Sequence, residues 1–277
     1  MGREQGRARL SAGALLTRLA RREPLEDPVA IVVAHPDDET LGAGGVMPLF
    51  RDLLLLQVTD GAPRNLEDAR AAGFSTAEDY AEARERELQA ALRVAGVAPG
   101  RVRLGAADQG ASLNMPAIAR AMAAHLARHG TRWVLTHAYE GGHPDHDATA
   151  FCVQAAAALL ARGGGEAPAI LEMPFYHAAP DGWAIGRFLP GPPHTVLQLT
   201  EGERARKRAM IDAFTTQAGV LGQFPLDNEL FRQAPAHDFT APPHEGQLLY
   251  ERHGWGMGGQ RWRALVAEAS LALGLAV

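Results

Sequence analysis

The chain has 277 residues, 47% of them hydrophobic and 21% charged, a profile of a soluble globular protein rather than a disordered one. That length allows one large α/β domain with a modest appendage. A net charge of −5, with no surviving basic cluster, argues against a nucleic-acid-binding surface.

Residues 1–28 form an Arg-rich leader, expected to be helical or disordered. The leader lacks the continuous apolar stretch of a signal peptide, and no segment approaches a membrane span, so a cytoplasmic protein is expected. Lys207 is the only lysine, which with so much alanine fits codon bias in a GC-rich bacterial genome. Cys152 is the only cysteine and rules out an intrachain disulfide. Beside Phe151 on a helical run, it reads as a small buried hydrophobe.

From residue 29 the pattern is regular. Short apolar runs that do not alternate, Val29 to Ala34, Leu53 to Thr59, Val102 to Leu104, Trp133 to Thr136 and Ala169 to Met173, read as strands buried on both faces. Helical stretches separate them. One runs from Thr76 to Val94, opened by Ser75-Thr76-Ala77-Glu78 as a capping box, and others from about Pro116 to Arg128 and from Pro144 to Ala161. The alternation predicts an α/β, Rossmann-like, doubly wound and mostly parallel sheet with helices on both faces. A helix from about Gly202 to Gln217 closes the core, about 29–217. An irregular elaboration over about 218–277 ends in a helix near Arg261 to Leu271. Residues 29–277 are expected to form a single domain.

The first strand runs into Ala34-His35-Pro36-Asp37-Asp38-Glu39, and the fourth leads to His143-Pro144-Asp145-His146. Ligands gather at the carboxyl ends of strands in such sheets, and strands one and four are commonly neighbours where the order reverses. The two clusters are therefore expected to meet. Proline at 36 makes a sharp exit from the strand, so that His35 and Asp38 face one point and Asp37 stays free. Pro144 suits the first helical position, placing His146 in the first turn, where the helix dipole favours a neutral imidazole. Alone, His-Pro-Asp before a helix also reads as a cap. Together, His35, Asp38 and His146 with an open position make a catalytic Zn²⁺ pattern, for which Fe²⁺ or Co²⁺ is an alternative. Gly42-Ala43-Gly44-Gly45 fails as a dinucleotide fingerprint, because Met47 stands at the third glycine; close helix packing is the better reading.

With these motifs the chain resembles the LmbE-like (PIG-L) zinc-dependent N-deacetylases over roughly Val29 to Gln217. The resemblance implies zinc-dependent removal of an acetyl or other acyl group from an amino-sugar conjugate such as an N-acetylglucosamine derivative. It makes His35, Asp38 and His146 the metal ligands and Asp37 the general base that activates the attacking water. His143 becomes the group that meets the oxyanion and protonates the leaving amine, with Asp145 as its charge partner. By the same resemblance Arg84, in an R-x-x-E-L pattern with Glu87, and Asp108 contact substrate; a surface ion pair and a turn residue are the bland alternatives. Asp60 reads as a turn former, with substrate contact as the lesser alternative.

Two positions depart from the family. Mycothiol-pathway members have a tyrosine shortly before the second motif, where this chain has Gly141 with Tyr139 nearby, and the late helix reads Phe214-Thr215-Thr216-Gln217 in place of a histidine before Ser-Gln. His137 reads as a hydrogen-bonded structural residue, and His177, His194, His237, His244 and His253 as loop residues. The rival function is an amidase of the same mechanism acting on a larger acyl or thiol-conjugate amide, with aromatic residues such as Trp255 and Trp262 either walling an acyl pocket or packing in the core. A non-catalytic glycan binder is a third reading. The expected partner is a small amino-sugar conjugate, with neither nucleic acid nor membrane, and assembly as a homo-oligomer is left open.

Overall fold

The computed structural model describes residues 11–180 and 182–275. The chain begins with helix α1 (Ala12–Ala20), capped by Ser11, whose side chain accepts from Ala14 N. The leader is thus helical over Ala12–Ala20 and irregular from there to β1, and Leu15 and Leu19 are completely buried; residues 1–10 lie outside the described set. There follow β1 (Val29–Val33), α2 (Asp38–Ala43), β2 (Leu53–Pro63), α3 (Glu67–Ala71), α4 (Ala77–Ala95), β3 (Gly100–Asp108), α5 (Met115–His129), β4 (Trp133–His137), α6 (Pro144–Arg162) and β5 (Ala169–Met173). A hairpin of β6 (Tyr176–Ala179) and β7 (Gly182–Ile185) comes next, then β8 (Thr195–Gln198), α7 (Glu201–Ile211), α8 (Ala218–Leu221) and β9 (Asn228–Gln233). The chain ends with α9 (Leu249–Arg252) and α10 (Gly259–Leu273).

The main sheet has the order β3-β2-β1-β4-β5-β9-β8. Its first five strands are parallel, and β9 and β8 add an antiparallel edge. The expected doubly wound α/β fold is present, with β1 beside β4 at the reversal. Successive residues of β1 serve opposite layers. Val29, Ile31 and Val33 pack in one apolar cluster with α1, α2, α4 and α7, whereas Ala30 and Val32 pack in the other with α5, α6 and α10. This explains a strand apolar at every position: neither face meets water.

Several boundaries differ from expectation: β2 runs on to Pro63 and β3 spans Gly100–Asp108, and two helix ends have a local cause. Helix α4 is capped by Thr76 rather than Ser75, because the Thr76 hydroxyl donates to Asp79 Oδ2 and accepts from Asp79 N. Helix α7 stops at Ile211. Phe214 then leaves the helical region (φ −90°, ψ 70°) to bury its ring, and a single 3-10 turn re-forms at Thr215–Gln217.

The glycines after the first motif allow close packing. A Cβ at Gly42 would lie 2.6 Å from Met173 Sδ, and one at Gly45 would lie 2.6 Å from Leu199 Cδ2. Nearby, Lys207 is buried and ion-paired to Glu229 at 2.7 Å, and Glu229 also accepts from Gly45 N and Val46 N, tying α7 and β9 to the first motif. Among the described residues, no helix is long and apolar enough to cross a membrane.

Candidate metal and catalytic site

The end of β1, the end of β4 and the N-terminus of α6 converge at the carboxyl edge of the sheet. His35 Nδ1 lies 3.2 Å from His146 Nε2 and 3.4 Å from Asp38 Oδ2, and His146 Nε2 lies 3.4 Å from Asp38 Oδ1. A tetrahedral zinc ion with ligands at about 2.0–2.1 Å holds its ligand atoms roughly 3.3 Å apart. These separations suit one small divalent ion held by both imidazoles and by the Asp38 carboxylate, whose Oδ2 faces His35 and Oδ1 faces His146, and all three residues are buried. Donor atoms are dense here: within His35, His143 and His146, and within Asp38, His137 and His146, they also lie within 4.8 Å of one another. His137 is already engaged, because its Nε2 accepts from Ala34 N at 2.9 Å and its ring stacks on His146. Burial pushes the His137 imidazole down to about 3, as suits a neutral structural residue.

Asp37 lies beside this cluster, with φ at 133°, a region that side-chain-bearing residues rarely adopt. Burial raises its carboxyl well above the usual range, against the opposing pull of Arg84. His143 caps α6, its Nδ1 accepting from Asp145 N at 3.2 Å, so a neutral ring carries its proton on Nε2. Burial holds His143 well below the usual imidazole range, and a charge on His35 would act in the same direction. That tautomer presents an N–H donor to the cavity, which His35, Asp37, Asp38, His143 and His146 all line.

For Asp145, no hydrogen bond between its carboxylate and His143 forms, although the ligand atoms of the two residues lie within 4.8 Å of one another. Its carboxylate accepts from Gln109 N at 2.6 Å and Ala111 N at 3.0 Å, fixing the turn after β3, and lies 3.5 Å from His35 Nε2. The carboxylate facing His143 Nε2 is Asp108, at 3.7 Å, with His35 Nε2 at 3.3 Å from the same oxygen. Asp108 lines the cavity as expected of a substrate contact, but its closeness to both histidines was not readable from sequence. Arg84 lines the cavity too, yet it is buried, with its terminal nitrogens bonded to Asp37, Pro36 O and Gly61 O. The surface pair with Glu87 does not form, because Glu87 instead accepts from Thr215 and Thr216. Asp60 is the turn former expected, accepting from Ala62 N.

The departures from the family resolve into separate roles. Tyr139 is buried, its hydroxyl donating to Ala241 O and its ring stacked on Trp262, so it does not stand in for a tyrosine at 141. Tyr176 of β6 lines the cavity instead, its ring 5.2 Å from that of His146. Trp183 lies 5.0 Å from Tyr176, and Trp255 lies 4.8 Å from His143. These aromatic rings bound a cavity of about 760 Å³.

The PIG-L family model, described as GlcNAc-PI de-N-acetylase, matches residues 30–157, which hold both motifs. No curated protein matches the chain. Among solved structures, the A40926 pseudoaglycone deacetylase is 20% identical with a TM-score of 0.58, over 77% of this chain and 100% of that one. The N,N'-diacetylchitobiose deacetylase from Pyrococcus horikoshii is 17% identical with a TM-score of 0.52, over 82% and 94%. The 4-carboxy-2-hydroxymuconate hydratase from Pseudomonas putida KT2440 is 20% identical with a TM-score of 0.52, over 71% and 82%. At these identities the likeness establishes the fold, which deacetylases and a hydratase share; the PIG-L model matches the segment of this chain that holds both motifs.

Proposed function

We propose that this chain is a metal-dependent hydrolase that removes an N-acetyl or other N-acyl group from an amino-sugar conjugate such as an N-acetylglucosamine derivative. The observation carrying this reading is the convergence of His35 Nδ1, Asp38 and His146 Nε2 at 3.2–3.4 Å, with Asp37 and His143 on the same cavity. These three residues would hold the metal. Their nitrogen and oxygen donors suit Zn²⁺, with Fe²⁺ or Co²⁺ as alternatives. A bound divalent ion supplies a Lewis acid for the amide carbonyl and brings the pKa of water toward neutrality.

The protein's own groups do the rest. Asp37, a carboxylate whose proton affinity is raised by burial, accepts the proton of the attacking water. His143 Nε2–H donates to the developing oxyanion and then serves the departing amine, which must gain a proton before it leaves. Asp108, at the rim of both histidines, is placed to accept from a sugar hydroxyl. Release of amine from a panel of N-acyl sugars, with bound metal measured and Asp37→Ala as control, tests the reading. Metal without turnover would leave a glycan-binding role; absence of metal even after reconstitution would remove the foundation.

A second reading, cleavage of a larger acyl or thiol-conjugate amide by the same mechanism, is favoured by one feature. Tyr176, Trp183 and Phe224 form a continuous aromatic wall next to His146. Release of long acyl chains but not of acetate would select it.

A further inference from the structure

We infer that Arg84 is a positioning residue that locks the general base, not a receptor for substrate anions. The inference rests on the proposed hydrolase reading for its kinetics, and on the geometry below for its structure. Arg84 projects from α4 into the protein, where Nη2 donates to Asp37 Oδ2 at 2.8 Å and to Pro36 O at 2.7 Å. Nη1 donates to Gly61 O at 2.8 Å. One guanidinium thus joins the exit of β1, the β2 turn and the carboxylate of Asp37. Arg84 lines the cavity, but both hydrogens of Nη2 are engaged inside the protein, so neither two-pronged face of the guanidinium is free to grip a phosphate.

The surroundings are fitted to this use. Gly61 has φ of +66°, and a Cβ there would stand 3.0 Å from Arg84 Nη1 and 2.8 Å from Pro36 Cδ. A side chain at 61 would push the guanidinium off its carbonyl. The Tyr80 ring lies one turn earlier on α4, 5.9 Å from the Arg84 guanidinium carbon, and its hydroxyl accepts from Gln217 at 2.6 Å. Glu87, three residues later on the same face, is bound by Thr215 and Thr216. Tyr80 and Glu87 thus tie the Arg84 face of α4 to the 215–217 turn on both sides of Arg84.

The strained backbone of Asp37 gives this clamp its purpose. With φ at 133°, Asp37 sits where an unconstrained aspartate relaxes away, and a residue persists there only when its surroundings over-determine it. Two of the three Arg84 bonds fall on Pro36 O and Asp37 Oδ2, on either side of the peptide that must stay in that conformation.

The test compares Arg84→Ala and Arg84→Lys with the wild type on the best substrate of the N-acyl sugar panel, and adds metal content and crystal structures. For Arg84→Ala, kcat should fall about 100-fold, the scale of a misplaced general base, while KM stays within about three-fold and bound metal is unchanged. Tens of millimolar guanidinium should restore part of kcat, which a simple structural defect would not allow. The crystal structure of Arg84→Ala should show the Asp37 carboxylate displaced and its φ out of the positive region. A large rise in KM with kcat retained would overturn the inference in favour of substrate binding, as would an unmoved Asp37. If Arg84→Ala does not fold, Arg84→Lys, which keeps the charge but not the fork, carries the same kcat-against-KM criterion. A wild type inactive on every substrate would count against the hydrolase reading alone, and the position of Asp37 in the variant would still decide this one.

Discussion

His35 and His146 face each other nitrogen to nitrogen at 3.2 Å across 111 residues of sequence. Two neutral imidazoles in that relation share at most one hydrogen, and Asp38 adds a carboxylate 3.4 Å from each. Such a cluster offers nitrogen and oxygen donors close enough to share one cation.

Replacing His146 by Ala should therefore empty the site rather than unfold the protein. Metal measured by plasma mass spectrometry should drop from near stoichiometric to near zero. Amine release should fall by more than the roughly 10–100-fold that loss of an outer partner of a metal ligand costs. Chelation of the wild type should reproduce the loss, and added Zn²⁺ should restore it. A His146→Ala protein that keeps its metal would transfer the ligand role to another of the crowded donors, His143 first.

Asp145 makes a different prediction from the one its motif suggests. Its two oxygens accept from Gln109 N and Ala111 N, so Asp145→Asn turns one acceptor into a donor facing a backbone N–H. A buried donor left unmatched costs about 1–3 kcal/mol, and urea unfolding should show a loss of that size. Equal stability with a purely kinetic defect would return Asp145 to the catalytic role inferred from the motif.

The contrast between Asp145 and His35 shows what the sequence could convey. Val29 to Val33, with no polar residue, leads directly into His35, and an apolar strand buried on both faces is legible without any partner. The meeting of His35 with His146 followed from the β1-β4 adjacency common to such sheets. The backbone partners of Asp145 and Arg84 were not legible, because each bonds to a remote turn, Gln109 and Ala111 or Pro36 and Gly61, whose placement depends on loop geometry that no periodicity encodes. His237 is the loop residue expected, and it is also hydrogen-bonded to the buried Glu172, which pairs with Arg232 at 2.7 Å. Strand β9 brings that arginine alongside β5, and an antiparallel edge strand of mixed composition carries little signal of its own.

Trp255 and Trp262, seven positions apart, should separate cleanly. Trp262 is fully buried, stacked 5.3 Å from Tyr139, with Nε1 donating to Pro144 O at 3.2 Å. Trp262→Ala should cost about 3–5 kcal/mol of stability. Trp255 is half-buried on the cavity beside His143, and Trp255→Ala should leave the melting temperature nearly unchanged while lowering kcat/KM about ten-fold for bulky substrates. A comparable loss of stability in both variants would mean that Trp255 is core and the aromatic wall is not a substrate surface.

Acid should loosen the tie between α7 and the turn that follows α1. Arg22 donates to both oxygens of Glu203, at 2.8 and 2.7 Å, and to Gln198 O. Its guanidinium holds the Glu203 carboxyl down at about 2. A carboxyl whose folded pKa is depressed adds stability above its ordinary value near 4.5, and that contribution drains away as pH falls from there toward about 2. Because the pair sits at a partly open edge, solvent screening limits it to about 1 kcal/mol. Urea unfolding at pH 7 and pH 3 should show wild type more stable than Glu203→Gln by that amount at pH 7, with the difference shrinking at pH 3. A difference that is constant with pH would mean that Glu203 acts through the capping box it forms with Thr200 rather than through its charge.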